Sequence, residues 1–260
     1  MNLVRIANAI KSKTYSAGVT LITPTGDRHA AFKQAEHYFS KQTWDGPVQW
    51  IVVDDGATPT PTSNLSAQQY IKVPSADQLG CCPGDRKAES LTGNVLTALE
   101  HVQFDKIIIW EDDDYYSPDY ISQQVLRLNR FELVGEGCAH YYNVYERMYR
   151  VNRNTKHASF CQTALRASAI HALYTSCLKR TSAFIDGRLW TKALNKFVFQ
   201  DTRHVIGIKG MPGRTGVGMG HRPKKGAKVR AGFKDDKLLA VLKQWLPTEY
   251  VDFYAQFYKA

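Results

Sequence analysis

Short apolar runs alternate along this chain with longer stretches in which apolar residues recur every three or four positions, a pattern that predicts strands and helices in turn. The runs Val19–Ile22, Val48–Val53, Gln69–Val73 and Lys106–Trp110 read as strands, and Ala30–Phe39 and Glu89–Val102 have helical spacing. Met1–Lys11 reads as a short amphipathic helix, and Thr58-Pro59-Thr60-Pro61-Thr62 is a loop. Regular alternation of the two element types predicts an α/β domain built on a mostly parallel sheet flanked by helices.

In such sheets ligands bind beyond the carboxyl ends of the strands. Three predicted strands end in polar segments, Thr23-Pro24-Thr25-Gly26-Asp27-Arg28, Asp54-Asp55-Gly56 and Glu111-Asp112-Asp113, which would then share one crevice. The last is the most informative, because Ile107-Ile108-Ile109-Trp110 runs directly into the four carboxylates Glu111 to Asp114. Crowding like charges is costly unless a cation neutralises them, and oxygen ligands suit Mg2+ or Mn2+. A solvated acidic turn is the plain alternative.

Glu111-Asp112-Asp113 followed by Pro118 resembles the DxD or EDD metal motif of glycosyltransferases with the GT-A (Rossmann-like) fold. Val52-Val53-Asp54-Asp55-Gly56-Ala57-Thr58 is similar to the VDDGST segment of glycosyltransferase family 2, and the first strand with Thr23 and Arg28 is similar to that family's opening. The resemblance spans roughly residues 18 to 120. It implies a nucleotide-sugar transferase in which Asp113 ligates the metal, Glu111 or Asp112 faces the ribose or a metal-bound water, and Asp54 and Asp55 meet the uracil edge of a UDP-sugar. Arg86 and Asn94 would lie near the donor phosphates. Taken alone, Asp-Gly is an ordinary turn.

The second half resembles the family less closely. His157–Arg166 reads as a strand closing over the acceptor side, and Phe184-Ile185-Asp186-Gly187-Arg188-Leu189-Trp190 looks like the ED-x-D-L-W segment of inverting members, with Ile185 and Arg188 in place of two acids. On that match Asp186 is the general base; a helix N-cap explains it equally well. The glycine-rich stretch Ile206–Arg222 lacks the Walker A pattern, but its glycines with Lys209, Arg214 and Arg222 suit a diphosphate. His221 stands where the family's late metal-binding His is found, although a lone His is often structural.

The chain of 260 residues is expected to form a single domain, with a nucleotide-sugar half (1–125), an acceptor and catalytic half (126–235) and a C-terminal helical segment (236–260). No stretch is apolar enough to suggest a signal peptide or a bilayer span, and the five cysteines form no CxxC pair, so a cytoplasmic, reducing compartment is expected.

Charge adds the acceptor. Nine Lys or Arg against two Asp between Lys209 and Lys237 put a formal +7 of the chain's +10 into one stretch, which suits a polyanion. A hydroxymethylated pyrimidine in DNA is therefore the leading acceptor, as for virus-encoded glycosyltransferases working in the host cytoplasm. Tyr141, Tyr142, Tyr145, Tyr149 and Phe160 would receive the flipped base, unless they are simply packed. Alternatively the basic arm lies on an anionic membrane with Tyr250, Phe253, Tyr254, Phe257 and Tyr258 at the interface, and the acceptor is an envelope glycan or lipid, although that aromatic pattern is more simply a helix packed onto the domain. A nucleotidyltransferase lacks its glycine signature here, and a non-catalytic nucleic-acid-binding protein leaves the carboxylate cluster unexplained.

Overall fold

The computed structural model describes residues 2–75, 86–179, 184–200, 203–214, 216 and 232–258. Its central strand, β1 (Ser16–Thr25), pairs in parallel with β2 (Val48–Asp54) on one side and with β4 (Phe104–Ile109) on the other. Beyond β2 lies β3 (Gln68–Lys72), again parallel. Beyond β4 comes β9 (Thr163–Arg166), antiparallel to both its neighbours, followed by β6 (Leu133–Glu136) and β10 (Lys196–Phe199), so the sheet has seven strands and is mostly parallel. The α/β class expected from the alternation is the one observed.

Because successive strand residues face opposite ways, the apolar runs fill two cores at once. Leu21, Trp50, Val52 and Ile108 face the helices α2 (His29–Ser40) and α4 (Tyr120–Leu128). Ile22, Ile51, Val53, Ile107 and Ile109 face α1 (Leu3–Ser12), α3 (Arg86–Leu99), α5 (Ile170–Cys177) and α6 (Ile185–Leu189).

A second, five-stranded sheet runs β12 (Lys234–Asp235), β8 (Met148–Arg153), β7 (Cys138–Asn143), β11 (Val205–Lys209) and β5 (Tyr115–Tyr116). It is sewn to the first sheet at the carboxylates, since β5 follows them directly and Asp114 accepts the Ile208 N–H of β11 at 2.9 Å.

Three expectations need correction. The strand read over His157–Arg166 forms only in its last four residues; ahead of it Phe160–Gln162 turns tightly because the Ser159 carbonyl takes both the Gln162 N–H (3.0 Å) and the Thr163 hydroxyl (2.8 Å). The third helix starts and stops three residues earlier than its apolar spacing suggested. In the C-terminal segment Pro247 separates α7 (Ala240–Trp245) from α8 (Thr248–Ala255), and Tyr250, Tyr254 and Phe257 are buried against the first core, with the Tyr254 and Tyr38 hydroxyls 2.8 Å apart. Those rings are spent on packing and are not available to a membrane. Among the described residues no helix is long and apolar enough to cross one.

Candidate active site

The parallel strands deliver their carboxyl ends to one rim of the sheet, and there a cavity of about 630 Å³ opens between the two sheets. Arg28, Asn94, Glu111, Asp113, Asp186, Lys209 and Arg214, all singled out in the sequence, line it. Arg28, just past β1, carries Asp112 in an ion pair through one terminal nitrogen and donates to Asp113 Oδ2 at 2.7 Å through the other. Lys209, the last residue of β11, lies 3.0 Å from Asp114 Oδ1 and 3.8 Å from Asp113 Oδ1. Thr25 donates its hydroxyl to Asp112 Oδ2 at 2.7 Å.

Asp112, Asp113 and Asp114 are at most 5% exposed. Burial dominates the electrostatics of Glu111, Asp112 and Asp114: it lifts Asp112 to about 6 against the pull of Arg28, raises Asp114 against Lys209, and pushes Glu111 well above the carboxylate range, helped by repulsion from Asp114. For the cations the carboxylates win over burial, and both Arg28 and Lys209 are held more firmly protonated than usual. Fully ionised, the four carboxylates and two cations carry a formal −2, and a divalent ion that cancels it would also offset the burial that disfavours the charged carboxylates. Asp114 is hydrogen-bonded to the Cys161 thiol as well as to Lys209, and the carboxylates of Glu111 and Asp114 have oxygens within 4.8 Å of each other and of the Cys161 sulfur. The donor set therefore fits a divalent metal. Cys161 was not foreseen: it arrives from the turn before β9, and nothing in its local sequence sets it apart.

The turn beside this cluster is tightly fitted. Asp55 is ion-paired to Arg214 and accepts the Ser90 hydroxyl. Gly213 has φ +100, and a Cβ there would overlap the Asp27 carbonyl, to which Arg214 N–H donates at 3.1 Å. Glycine is what lets the strand β11 exit fold onto the β1–α2 turn and bring Arg214 to Asp55. Asn94 on α3 ties β1 to β2, donating to the Thr25 and Val53 carbonyls at 3.4 and 3.3 Å.

Several expected residues have other employment. Thr23 does not line the cavity: fully buried, it donates to the Trp110 carbonyl at 2.5 Å and accepts the Trp50 indole N–H at 2.8 Å. Thr23→Val is expected to cost about 1–3 kcal/mol by stranding the indole N–H, read as a lower urea midpoint, with donor affinity unchanged. Asp54 has both oxygens committed, one to Gly56 N–H (2.7 Å), the other to Thr60 N–H (2.7 Å) and the Tyr70 hydroxyl (2.6 Å). Burial alone would raise its pKa, but these donors hold it below the ordinary range, so it builds the turn and does not face the cavity. Tyr142 and Tyr149 lie edge-on to Trp245, and Tyr145 does not line the cavity; of the five rings proposed for a flipped base only Tyr141 and Phe160 do.

Asp186 sits in the first turn of α6, with Phe184 at the N-cap position, so it is not the cap. Burial raises its pKa, with the Gly187 N–H and His157 opposing. The side chain of Arg86, together with His221 and Arg222, lies outside the described residues. The ends of the basic stretch are described: Gly216 lines the cavity, and Gly232 lies against the Arg150 guanidinium.

No protein-family model and no curated protein sequence matches the chain. Among solved structures it is similar to S. aureus TarS (10% identity, TM-score 0.48, covering 73% of this chain and 36% of that one) and to TarS 1-349 in complex with UDP (12%, 0.48, 73% and 60%). It is also similar to the mannosyltransferase PcManGT from Pyrobaculum calidifontis in complex with GDP-Man and Mn2+ (13%, 0.45, 81% and 64%). The chain thus spans less than two thirds of the length of each.

Proposed function

We propose that the protein is a GT-A, metal-dependent glycosyltransferase that moves a sugar from a nucleotide-sugar, a UDP-sugar as the leading donor, to a hydroxyl acceptor. The observation that carries this is the buried carboxylate cluster at the end of β4, half neutralised by Arg28 and Lys209, opening into a cavity that also holds Asp186. Glu111, Asp113 and Asp114 are the residues that would hold Mn2+ or Mg2+, and such an ion would supply charge neutralisation at the donor's diphosphate. Arg28, Lys209 and Arg214 are the chain's own cations for the same phosphates, and Asn94 stiffens the rim on which they sit.

Asp186 is the base in this reading. Ionised, it accepts the acceptor hydroxyl's proton while the oxygen attacks the sugar carbon and the nucleoside diphosphate leaves, which inverts the anomeric centre. A hydroxymethylated pyrimidine in DNA is the leading acceptor, supported by the basic composition of the stretch from Lys209 to Lys237.

The test is nucleotide release from UDP- and GDP-sugars with Mn2+ or Mg2+, with hydroxymethylated DNA, unmodified DNA or no acceptor. Metal-dependent UDP release that rises only with hydroxymethylated DNA is the expected result. Release indifferent to DNA removes the acceptor and keeps the transferase, whereas no donor turnover or binding overturns the reading.

A further inference from the structure

The cavity has a second wall that the donor chemistry does not use. It comes from the β7–β8 hairpin and from residues 154–161 and 184–186. Tyr141 and Arg150 are cross-strand partners, so they share one face of the hairpin, and that face lines the cavity. The opposite face is occupied, with His140, Tyr142 and Tyr149 packed edge-on to Trp245. Arg150 Nε donates to Asn152 Oδ1 at 2.6 Å, which fixes the plane of its guanidinium; His157 also lines the cavity, and Arg153, which the register places on the other face of the hairpin opposite Cys138, reaches its edge. Asp186 is the sole carboxylate these segments contribute to the lining. At the rim, Phe184 lines the cavity while 69% exposed, and Val151 lines it at 41%.

An exposed phenyl ring and an arginine lining one cavity suit a ligand that is both planar and anionic. Arginines alone suit any phosphate chain. A solvent-facing phenyl ring gains energy from a partner with a planar face, which a nucleobase has and a sugar-alcohol phosphate lacks. Resting on the glycosyltransferase reading above, we infer that this wall is a single-strand nucleic-acid subsite in which Arg150, with Arg153 at the cavity edge, holds the phosphodiester backbone and Phe184 stacks the base presented to Asp186. The base must leave its duplex stack to arrive there, and the ring offsets part of the lost stacking.

Fluorescence anisotropy of a short fluorescein-labelled strand carrying hydroxymethylcytosine, with UDP and Mn2+ present, tests this on the whole protein. Binding should weaken steeply with salt. Arg150→Gln should weaken it about tenfold at low salt and flatten the salt slope by about one phosphate contact, while Arg150→Lys keeps the slope. Phe184→Ala, at an exposed position where folding is safe, should weaken it about tenfold without changing the slope. The inference is overturned if the strand does not bind at low salt, if these substitutions leave binding unchanged, or if inorganic polyphosphate competes as well as an unlabelled strand. Calorimetry with UDP and Mn2+ separates the two levels: donor binding without strand binding sinks this inference alone, and loss of both sinks the transferase reading beneath it.

Discussion

Asp113→Ala is expected to lower sugar transfer about a thousandfold and to remove its response to added Mn2+. Asp113 is the one aspartate of the three that both lines the cavity and touches the two cations, Arg28 at 2.7 Å and Lys209 at 3.8 Å. Its removal takes away a ligand and shifts the local balance from a formal −2 to −1, which a divalent ion no longer matches. Nucleotide release measured across a Mn2+ titration reads both effects. Stability should not fall in step, because burial disfavours each charge in this cluster and one fewer relieves the rest. Activity that stays metal-dependent in this variant would move the ion to Glu111, Asp114 and Cys161.

Asp186→Asn separates catalysis from folding. As a base, the carboxylate must be ionised, so wild-type transfer should climb with pH through its raised pKa, and the amide should lose about 10²- to 10⁴-fold and the pH limb with it. Stability should move the other way. A carboxyl whose folded pKa lies above its unfolded value contributes stability that is complete below the unfolded value, about 4, and disappears as pH rises through the folded one. Asp186 therefore costs stability at neutral pH, and the amide should raise the melting temperature there, with the gain vanishing in acid. A variant that is both inactive and less stable would show that Asp186 holds α6 together and nothing more.

The strands of the first sheet were legible because the runs ending in Trp110 and Val53 leave little choice: residues apolar on both faces need a sheet covered on both faces. The same logic exposed the carboxylates, since nothing apolar explains Glu111 to Asp114. Thr23 and Asp54 are placed by features the apolar pattern does not carry. β1 runs on past Ile22 to Thr25, so Thr23 is an inward-facing strand residue between two tryptophans, and Asp54 curls back onto its own turn. Cys161 and Arg150 were invisible because what matters about them is proximity across the fold. Cys161 reaches the cluster by a tight turn, and Arg150 reaches the cavity by the register of a hairpin whose sequence alternation is weak.

The strand order also dictates a sequence of events as the chain emerges from a ribosome. β1 to β4 can pair as soon as Ile109 is made, but β6 lies between β9 and β10, both encoded later. It must wait for β9 to join it to the sheet, and for β10 to cover its other edge. Lys209 comes later still, so the nascent first half holds Glu111 to Asp114 with Arg28 as their one described counter-charge. Closing such long-range strand pairs is slow, and the interval leaves an apolar strand edge uncovered beside an anionic rim that only Arg28 counters. Lys209, made only after β9 and β10 have closed that edge, is the last of the described cations to reach Asp113 and Asp114.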